Sequence, residues 1–284
     1  MKTAITGATG QLGRKVIEQL KKRMPSDDIV ALVRNTDKAS DLGVEAREFD
    51  YDNPEILVDQ LKDIDNLLLI SASEIGKRVK QHTNVINAAK KAGIKWIVYT
   101  SLLRADTSTI NLAGEHVATE KGIMDSGISY TILRHGWYTE NYTGSIGNAL
   151  AAGTLIGSAG DGKISSATRE DFAEAAAIVL TNEENKGKIF EFAGDDSYTL
   201  SDLAEEVSKQ SGRSIPYSNL PEDEYAQVLN QVGLPQGISD AIANWDVSAS
   251  HGDLYDESHQ LSTVLGRPTT SLSQAVKEAL ADIK

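Results

Sequence analysis

An apolar strand runs into a glycine-rich turn, Ile5-Thr6-Gly7-Ala8-Thr9-Gly10-Gln11-Leu12-Gly13, and an amphipathic helix follows it. Gly7 can adopt a tight-turn conformation that other residues avoid. Gly10 lets a pyrophosphate approach the backbone, and Gly13 lets the helix pack close to the sheet. The helix N-terminus then points free N–H groups at the phosphates. The GxxGxxG spacing differs from the usual GxGxxG fingerprint, so the predicted dinucleotide site depends also on the flanking strands and helix.

The next predicted strand, Ile29–Val33, ends in Arg34. Its tip lies about 20 residues beyond the glycines, where NAD-binding folds place an acidic residue on the ribose 2′-hydroxyl. An arginine suits a 2′-phosphate instead, because a planar guanidinium pairs with two oxygens at once. We therefore predict NADPH rather than NADH as the cofactor. The alternative is a solvated arginine at a strand end.

The composition limits the function classes. The chain has 284 residues, 40% of them hydrophobic, and a formal net charge of −13 from 41 acidic and 28 basic residues. That charge argues against nucleic-acid partners and against an anionic membrane surface. The sequence has no cysteine, which excludes thiol catalysis, disulfides and thiolate metal sites. It has no apolar run of about 18 residues, and cleavage of a signal peptide would remove the glycine turn, so we expect a cytoplasmic protein.

Strands and helices alternate along the first half of the chain. Continuous apolar runs such as Leu67–Ile70 are typical of strands buried on both faces. This alternation predicts an α/β fold with a doubly wound parallel Rossmann sheet. The predicted strands are Lys2–Thr6, Ile29–Val33, Ala46–Phe49, Asn66–Ile70, Trp96–Thr100 and Tyr130–Leu133. The predicted helices are Leu12–Arg23, Pro54–Leu61, Arg78–Ala92 and Leu112–Ser126.

After residue 134 the pattern is less regular, and we predict a smaller C-terminal α/β substrate subdomain. The predicted domains are residues 1–150, which bind NADP(H), and residues 151–284, which are discontinuous and return in part to the Rossmann sheet. Capping residues predict three of the later helices: Thr168 before Arg169–Leu180, Thr199 before Leu200–Gln210, and Ser271, in a capping box with Gln274, before Leu272–Ile283. The other predicted elements are the strands Ile189–Phe192 and Ile215–Tyr217 and the helix Glu222–Val232.

The residues that follow each strand are candidate contacts, because ligands of open α/β sheets lie at the carboxyl ends of the strands. Asp50 could accept a hydrogen bond from an adenine amino group or cap a turn. The next strand is followed by Ser71-Ala72-Ser73, which suits a ribose or pyrophosphate. The loop after the sixth strand contains two aromatic side chains that can stack on a flat ring, and the Asn141 amide can pair with a carboxamide of the ligand. The residues of this last loop are Gly136, Trp137, Tyr138, Glu140 and Asn141; the alternative is a hinge packed on Trp137.

The sequence lacks the proton relay of short-chain dehydrogenases, Tyr-x-x-x-Lys on one helix, because none of the nine tyrosines has Lys four residues later. His116 and Glu120 occupy the corresponding places. His116 is a weak candidate for a catalytic proton donor, and the alternative is that it pairs with Glu120 at the surface. Loss of the relay favours a reactive acceptor such as a quinone, whose reduction needs chiefly positioning, or no turnover at all. The five histidines show no metal-ligand spacing, so no metal is predicted.

Over essentially its whole length the chain resembles the NmrA-like family of atypical short-chain dehydrogenases. The resemblance is carried by ITGATGQLG from Ile5, ALVRN from Ala31, LLLISASEIG from Leu67, YTSLLRADTS from Tyr99, LRHGWYTENY from Leu133 and AGDGKISSATREDFA from Ala159. This family holds quinone reductases, triphenylmethane dye reductases and non-catalytic redox sensors on one scaffold, and fold alone does not choose among them. The SLLRAD and GWYTENY stretches favour the quinone reductases.

The resemblance implies NADPH as the cofactor and a quinone as the small-molecule substrate, reduced by direct hydride transfer without flavin or metal. The cofactor contacts that it implies are Thr6, Gly7, Thr9, Gly10, Gln11, Leu12, Arg34, Ser71, Ala72, Ser73, Gly136, Trp137, Tyr138, Glu140 and Asn141. No helix face carries a distinctive apolar stripe, so the sequence leaves open whether the protein forms a homo-oligomer. The alternatives are a redox sensor without turnover and a reductase of another activated acceptor such as a triphenylmethane dye.

Overall fold

The computed structural model describes residues 1–283. Its strands are β1 (Thr3–Thr6), β2 (Ile29–Val33), β3 (Glu45–Glu48), β4 (Asn66–Leu69), β5 (Trp96–Leu102), β6 (Ser129–His135), β7 (Leu155–Gly157), β8 (Ile189–Phe192) and β9 (Tyr217–Asn219). Within the described chain, one sheet has the order β3-β2-β1-β4-β5-β6-β8, and all of its strand pairs are parallel. The predicted doubly wound Rossmann sheet is therefore confirmed.

The helices are α1 (Gln11–Lys21), α2 (Pro54–Gln60), α3 (Arg78–Ala92), α4 (Ala113–Asp125), α5 (Glu140–Thr143), α6 (Ile146–Ala152), α7 (Arg169–Leu180), α8 (Leu200–Ser211), α9 (Glu222–Gln231), α10 (Gln236–Ser250), α11 (Gln260–Leu265) and α12 (Leu272–Asp282). None of the helices in the described part of the chain is both long and apolar enough to cross a membrane.

The chain divides into two compact units. The first comprises residues 1–106, 112–135 and 169–192, and so contains the seven-stranded sheet, α1 to α4 and α7. The second comprises residues 107–111, 136–168 and 193–284, with the pair β7 and β9 and the remaining helices. The predicted domain boundary at residue 150 stays a prediction.

The order of the strands reverses direction at the centre of the first unit. The chain moves from β1 outward through β2 to β3, and then crosses back to place β4 on the other side of β1. Ligands of such sheets bind at this switch point, beyond the carboxyl ends of the strands. The glycine turn after β1 and the loop after β4 are therefore the two segments that flank the expected binding crevice.

Apolar side chains fix this arrangement from both faces of the sheet. All residues of β1, β2, β4 and β5 are buried, as the continuous apolar runs predicted. On one face α2 and α3 contribute Leu57 and Val85, which are fully buried. Burial of each such side chain contributes roughly 1.5–3 kcal/mol. The helix α3 ends where predicted, because Gly93 adopts a left-handed φ of 80° that a C-terminal cap requires.

In the first unit the predicted and observed bounds differ by two residues at most, and the larger differences from the sequence prediction lie in the second unit. The caps are confirmed in part: Thr199 and Asp202 form a reciprocal capping box. At α12, Ser271 accepts from the Gln274 N–H, but the Gln274 side chain donates to Glu278 at 2.7 Å instead of returning to the cap. The predicted strand Ile215–Tyr217 is shifted to Tyr217–Asn219. The sequence prediction did not include β7, α5, α6, α10 or α11.

Candidate functional site

The glycine turn of the first unit is closed by its own backbone. Gly7 has a left-handed φ of 59°, and its carbonyl accepts from the Gly10 N–H at 2.9 Å. A Cβ on Gly13 would lie 2.3 Å from the Gly7 oxygen, and a Cβ on Gly10 would lie 3.1 Å from the same atom. Since real Cβ atoms do not approach an oxygen to 2.3 Å, Gly13 is required for the close packing of α1 on the turn.

The N-terminus of α1 is suited to an anion. Gly10 occupies the N-cap position, where no side chain forms a capping bond. The first turn of this fully described helix contains no acidic residue. The N–H groups of this turn and the positive end of the helix dipole therefore remain directed beyond the helix. Arg14 braces the turn, because its guanidinium donates to the carbonyls of Thr9 and Lys38 and to Asp41.

Arg34, at the tip of β2, is 77% exposed in its side chain and lies 3.8 Å from the Glu74 carboxylate. Glu74 also pairs with Lys77 at 3.0 Å and accepts from Gln81 at 3.3 Å. These contacts, chiefly the Lys77 and Gln81 hydrogen bonds, lower the pKa of Glu74. The fold thus places an acidic residue beside the arginine predicted to bind a 2′-phosphate, and the sequence analysis did not assign this acid a role.

The tips of β1, β4 and β5 are held together by side-chain hydroxyls. The Ile70 N–H donates to Thr6 Oγ1 at 2.9 Å, and the Ser71 N–H donates to Thr100 Oγ1 at 2.9 Å. These bonds fix the start of the Ser71–Ser73 loop next to the glycine turn. Asp50 accepts from the Asp52 N–H at 3.0 Å, so its carboxylate caps a turn, one of the two roles that the sequence allowed.

His116 is 5% exposed, and its Nδ1 lies 2.8 Å from the Tyr99 hydroxyl. The alternative that it pairs with Glu120 at the surface was wrong, because both side chains are buried and have other partners. Glu120 accepts from Ser101 at 2.5 Å and from Arg134 at 2.8 and 2.9 Å. Burial lowers the pKa of His116 to about 3. A neutral, buried imidazole bonded to a tyrosine is a structural element of the core, and it is poorly placed to carry a proton to a product.

An ionic network at the tips of β5 and β6 was not predicted. Arg134 binds Glu120, Asp106 and Glu191 at 2.8 to 3.0 Å. Glu191 also accepts from the Arg104 N–H at 2.8 Å, and Arg104 has a left-handed φ of 48°. The network therefore holds a strained backbone position in the segment after β5. A basic residue directly after a predicted strand, Arg134 after Tyr130–Leu133, was the one signal in the sequence that could have indicated it.

The loop Gly136–Asn141 belongs to the second unit. The Trp137 ring contacts the Trp245 ring edge-on at 5.3 Å, and Trp245 donates to Asn111 at 2.9 Å. The backbone of the loop is paired with Ala167, which accepts from the Thr139 N–H and donates to the Trp137 carbonyl. The packing on Trp137 that belongs to the alternative of a hinge is present, and the contact role of the loop stays a prediction. Trp245, the partner of Trp137, was missed because the helix that carries it was not predicted.

Within the first unit the structure brings together the glycine turn, Arg34 and the Ser71–Ser73 loop. The predicted contacts from Gly136 to Asn141 lie in the second unit and stay predictions, as does the role of each predicted contact residue. Among residues 1–283, no three His, Asp or Glu side chains are grouped as metal ligands would be.

Comparison with known proteins gives matches along nearly the whole chain. The model of the NmrA-like family matches residues 1–279. Quinone oxidoreductase 2 of Escherichia coli (strain K12) is 54% identical over 276 residues, which are 96% of each chain. The crystal structure of an Escherichia coli NADPH-dependent quinone oxidoreductase complexed with NADPH has a TM-score of 0.96 and 53% identity, and the match covers 98% of this chain and 99% of that one. The structure of Citrobacter sp. triphenylmethane reductase complexed with NADP(H) has a TM-score of 0.94 and 36% identity, and the match covers 98% of this chain and 100% of that one.

Proposed function

We propose that this chain, which belongs to the NmrA-like family, is an NADPH-dependent quinone oxidoreductase. The observation that carries the proposal is the 54% identity with Quinone oxidoreductase 2 across 96% of both chains. The match spans the segments of the chain that hold the glycine turn, the strand tips and the loops between them. The family predicted from the sequence is confirmed by the match over residues 1–279.

The residues of the first unit fit NADPH. A Cβ on Gly13 would overlap the backbone of the turn, and one on Gly10 would lie tightly against it. The N-terminus of α1 carries neither a capping side chain nor an acid. Such a terminus accommodates a pyrophosphate. Arg34 is exposed at the tip of β2, where a guanidinium can pair with a 2′-phosphate. The bound cofactor supplies the hydride that the quinone accepts.

We assign the cofactor contacts as the sequence predicted them. In the first unit these are Thr6, Gly7, Thr9, Gly10, Gln11, Leu12, Arg34, Ser71, Ala72 and Ser73. In the second unit they are Gly136, Trp137, Tyr138, Glu140 and Asn141. These residues bind and orient the reactants, which is the main requirement for hydride transfer to an acceptor that needs no activation.

The absence of Tyr-x-x-x-Lys from the sequence is consistent with this chemistry. A quinone is conjugated and accepts a hydride readily, and the resulting hydroquinone anion can take its proton from water. His116 is buried against Tyr99, so we assign it no catalytic role. The protein's contribution is then the placement of two flat reactants and the exclusion of competing acceptors.

A second candidate is the reduction of triphenylmethane dyes. It is favoured by the 36% identity and the TM-score of 0.94 with the Citrobacter reductase. A redox sensor that binds NADP(H) without turnover is the third candidate, because the fold by itself does not choose among these functions.

The test is NADPH consumption with p-benzoquinone and with menadione, followed by its absorbance and repeated with NADH. We expect fast, saturable consumption with NADPH preferred over NADH. A parallel series with a triphenylmethane dye identifies the second candidate if the dye is reduced and the quinones are not. Tight NADPH binding in a titration, without consumption in either series, would establish the sensor.

A further inference from the structure

The backbone of Ala72 is held on both sides by side chains from α3. Its N–H donates to His82 Nε2 at 3.0 Å, and its carbonyl accepts from Arg78 Nε at 2.8 Å. We propose that His82 is a positioning residue for NADPH, because it fixes the direction of the Ala72 peptide within the loop Ser71–Ser73. This inference rests on the proposed function, in which that loop contacts the cofactor.

The hydrogen bonds of His82 define one tautomer. Because Nε2 accepts from the Ala72 N–H, the ring proton is on Nδ1, which donates to Thr119 Oγ1 at 3.0 Å. The Thr119 hydroxyl donates in turn to the Glu115 carbonyl at 2.9 Å. These hydrogen bonds, all donated in the same direction, connect the Ser71–Ser73 loop to the backbone of α4. Burial and the nearby Arg78 charge lower the pKa of His82 to about 3, so the imidazole remains a neutral acceptor at physiological pH.

Aromatic rings fix the plane of the imidazole. The His82 ring is fully buried, and it meets the rings of Tyr51 and Tyr99 edge-on at 6.3 and 5.5 Å. With its rotation restricted in this way, Nε2 stays directed at the Ala72 N–H. The acceptor is therefore preorganised and does not depend on the presence of the cofactor.

A second anchor acts on the same loop. Glu115 accepts from Arg78 at 2.8 Å with one carboxylate oxygen and from the Gly76 N–H at 3.0 Å with the other. Residues 71–74 are in neither a helix nor a strand. The hydrogen bonds from His82, Arg78 and Glu115 therefore take the place of the backbone hydrogen bonds that a sheet would supply. If these hydrogen bonds are lost, the loop samples other conformations, and cofactor binding must then bear the entropic cost of ordering it.

The inference predicts a difference between two variants of His82. In His82→Asn the amide can replace Nδ1 and keep the Thr119 contact, but it cannot reach Ala72. In His82→Gln the longer side chain places an oxygen near the position of Nε2, where it can accept from Ala72. We expect His82→Asn to raise the Kd and the KM for NADPH about tenfold, with kcat within about twofold of wild type. His82→Gln should recover most of that loss.

The tautomer can be tested without changing His82. Thr119→Val removes the acceptor of the Nδ1 proton, so it weakens the preference for the tautomer in which Nε2 accepts from the Ala72 N–H. Thr119→Ser keeps the hydroxyl and serves as the matched control. We expect Thr119→Val to weaken NADPH binding and Thr119→Ser to leave it within about twofold of wild type. This pair provides the test if a His82 variant fails to fold.

Two measurements on the protein without quinone separate this inference from the proposed function. One is amide hydrogen exchange at residues 70–76 without cofactor, and the other is titration with NADPH and NADH. Faster exchange and weaker binding of both nucleotides in His82→Asn, with recovery in His82→Gln, would support the inference. Equal NADPH affinity in wild type and His82→Asn, or equal losses in the Asn and Gln variants, would overturn it. Absence of quinone reduction in wild type would count against the proposed function alone.

Discussion

The Arg34 guanidinium lies 3.8 Å from the Glu74 carboxylate, so the tip of β2 and the loop after β4 are in contact through opposite charges. The two residues are 40 positions apart in the sequence, and only the strand order places them together. A 2′-phosphate that pairs with Arg34 must compete with, or displace, this carboxylate. Under the proposed assignment of Arg34 to the 2′-phosphate, the affinity for NADPH depends on the balance between two anions on one arginine.

Replacing Arg34 by Ala should separate the two nicotinamide cofactors. We expect the KM for NADPH to rise about 10- to 100-fold, because a charge-assisted bidentate contact is lost, while the KM for NADH changes by less than about twofold. Initial rates with a saturating quinone measure both. The exposed Lys121→Ala is the matched control, since Lys121 pairs only locally with Asp125 on α4. Equal losses for the two cofactors would mean that Arg34 does not contact the 2′-phosphate.

Removal of the competing charge should have the opposite effect. In Glu74→Gln the side chain keeps its size but no longer neutralises Arg34, so we expect the KM for NADPH to fall about two- to fivefold. The gain should shrink as salt is added, because both side chains are partly exposed. A KM that is unchanged at low ionic strength, measured beside wild type in the same buffer, would show that Glu74 does not compete.

The glycine turn predicts a contrast between two alanine substitutions. A Cβ at Gly13 would lie 2.3 Å from the Gly7 oxygen, so Gly13→Ala should lower the free energy of unfolding by about 1–3 kcal/mol and weaken NADPH binding. At Gly122 in α4 the nearest atom would be 3.5 Å away, and Gly122→Ala should raise stability by up to about 1 kcal/mol. Denaturant titrations compare the two. A Gly13→Ala protein as stable as wild type would contradict the close packing of α1 on the turn.

The pair Tyr99 and His116 should matter for stability and not for turnover. We expect His116→Ala to keep kcat within about twofold, or about 0.4 kcal/mol in activation free energy. Its free energy of unfolding should fall by about 1–3 kcal/mol, because the buried Tyr99 hydroxyl loses its partner. The double variant with Tyr99→Phe should lose less than the sum of the single changes. A large loss of kcat in a folded His116→Ala protein would return His116 to the candidates for catalysis.

Asp246 predicts a pH dependence of stability. Its carboxylate is 4% exposed and accepts from the Ser158 N–H at 2.9 Å, and burial raises its pKa from 3.8 to about 6. Between these two values the native protein binds more protons than the unfolded chain. The group therefore destabilises the fold progressively as pH rises from about 4 to about 6, by on the order of 3 kcal/mol in full.

Asp246→Asn removes this titration and keeps an oxygen that can accept from Ser158. The difference in unfolding free energy between the variant and wild type should therefore grow in the variant's favour from about pH 4 to about pH 6 and then level off. Denaturant titrations at intervals across that range measure it. Asp223 is exposed on α9, and the unfolding free energy of Asp223→Asn should vary with pH in the same way as that of wild type. A constant difference for Asp246→Asn would mean that the carboxyl titrates at its ordinary pKa.

Local signals were sufficient for most of the first unit. The strand Ile29–Val33 and the helices Arg78–Ala92 and Arg169–Leu180 were predicted with the bounds that the structure has. Each is marked by chemistry within a few residues, either a continuous apolar run or a helix with clear terminal signals. The helix Gln236–Ser250 was missed, and its buried residues are small or polar, including Ser239, Asp246 and Ser248, so the face that packs on the core carries only a weak apolar signal.

By itself the sequence determined the parallel sheet and the glycine turn, and it predicted NADPH as the cofactor, because each depends on the type and spacing of residues that are close in the chain. Only the tertiary structure decided which distant side chains share a hydrogen bond or a charge. It paired Arg34 with Glu74, His116 with Tyr99 instead of Glu120, and His82 with the Ala72 peptide. Such pairs depend on strand order and burial, which bring together residues whose separation along the chain carries no information about their contact.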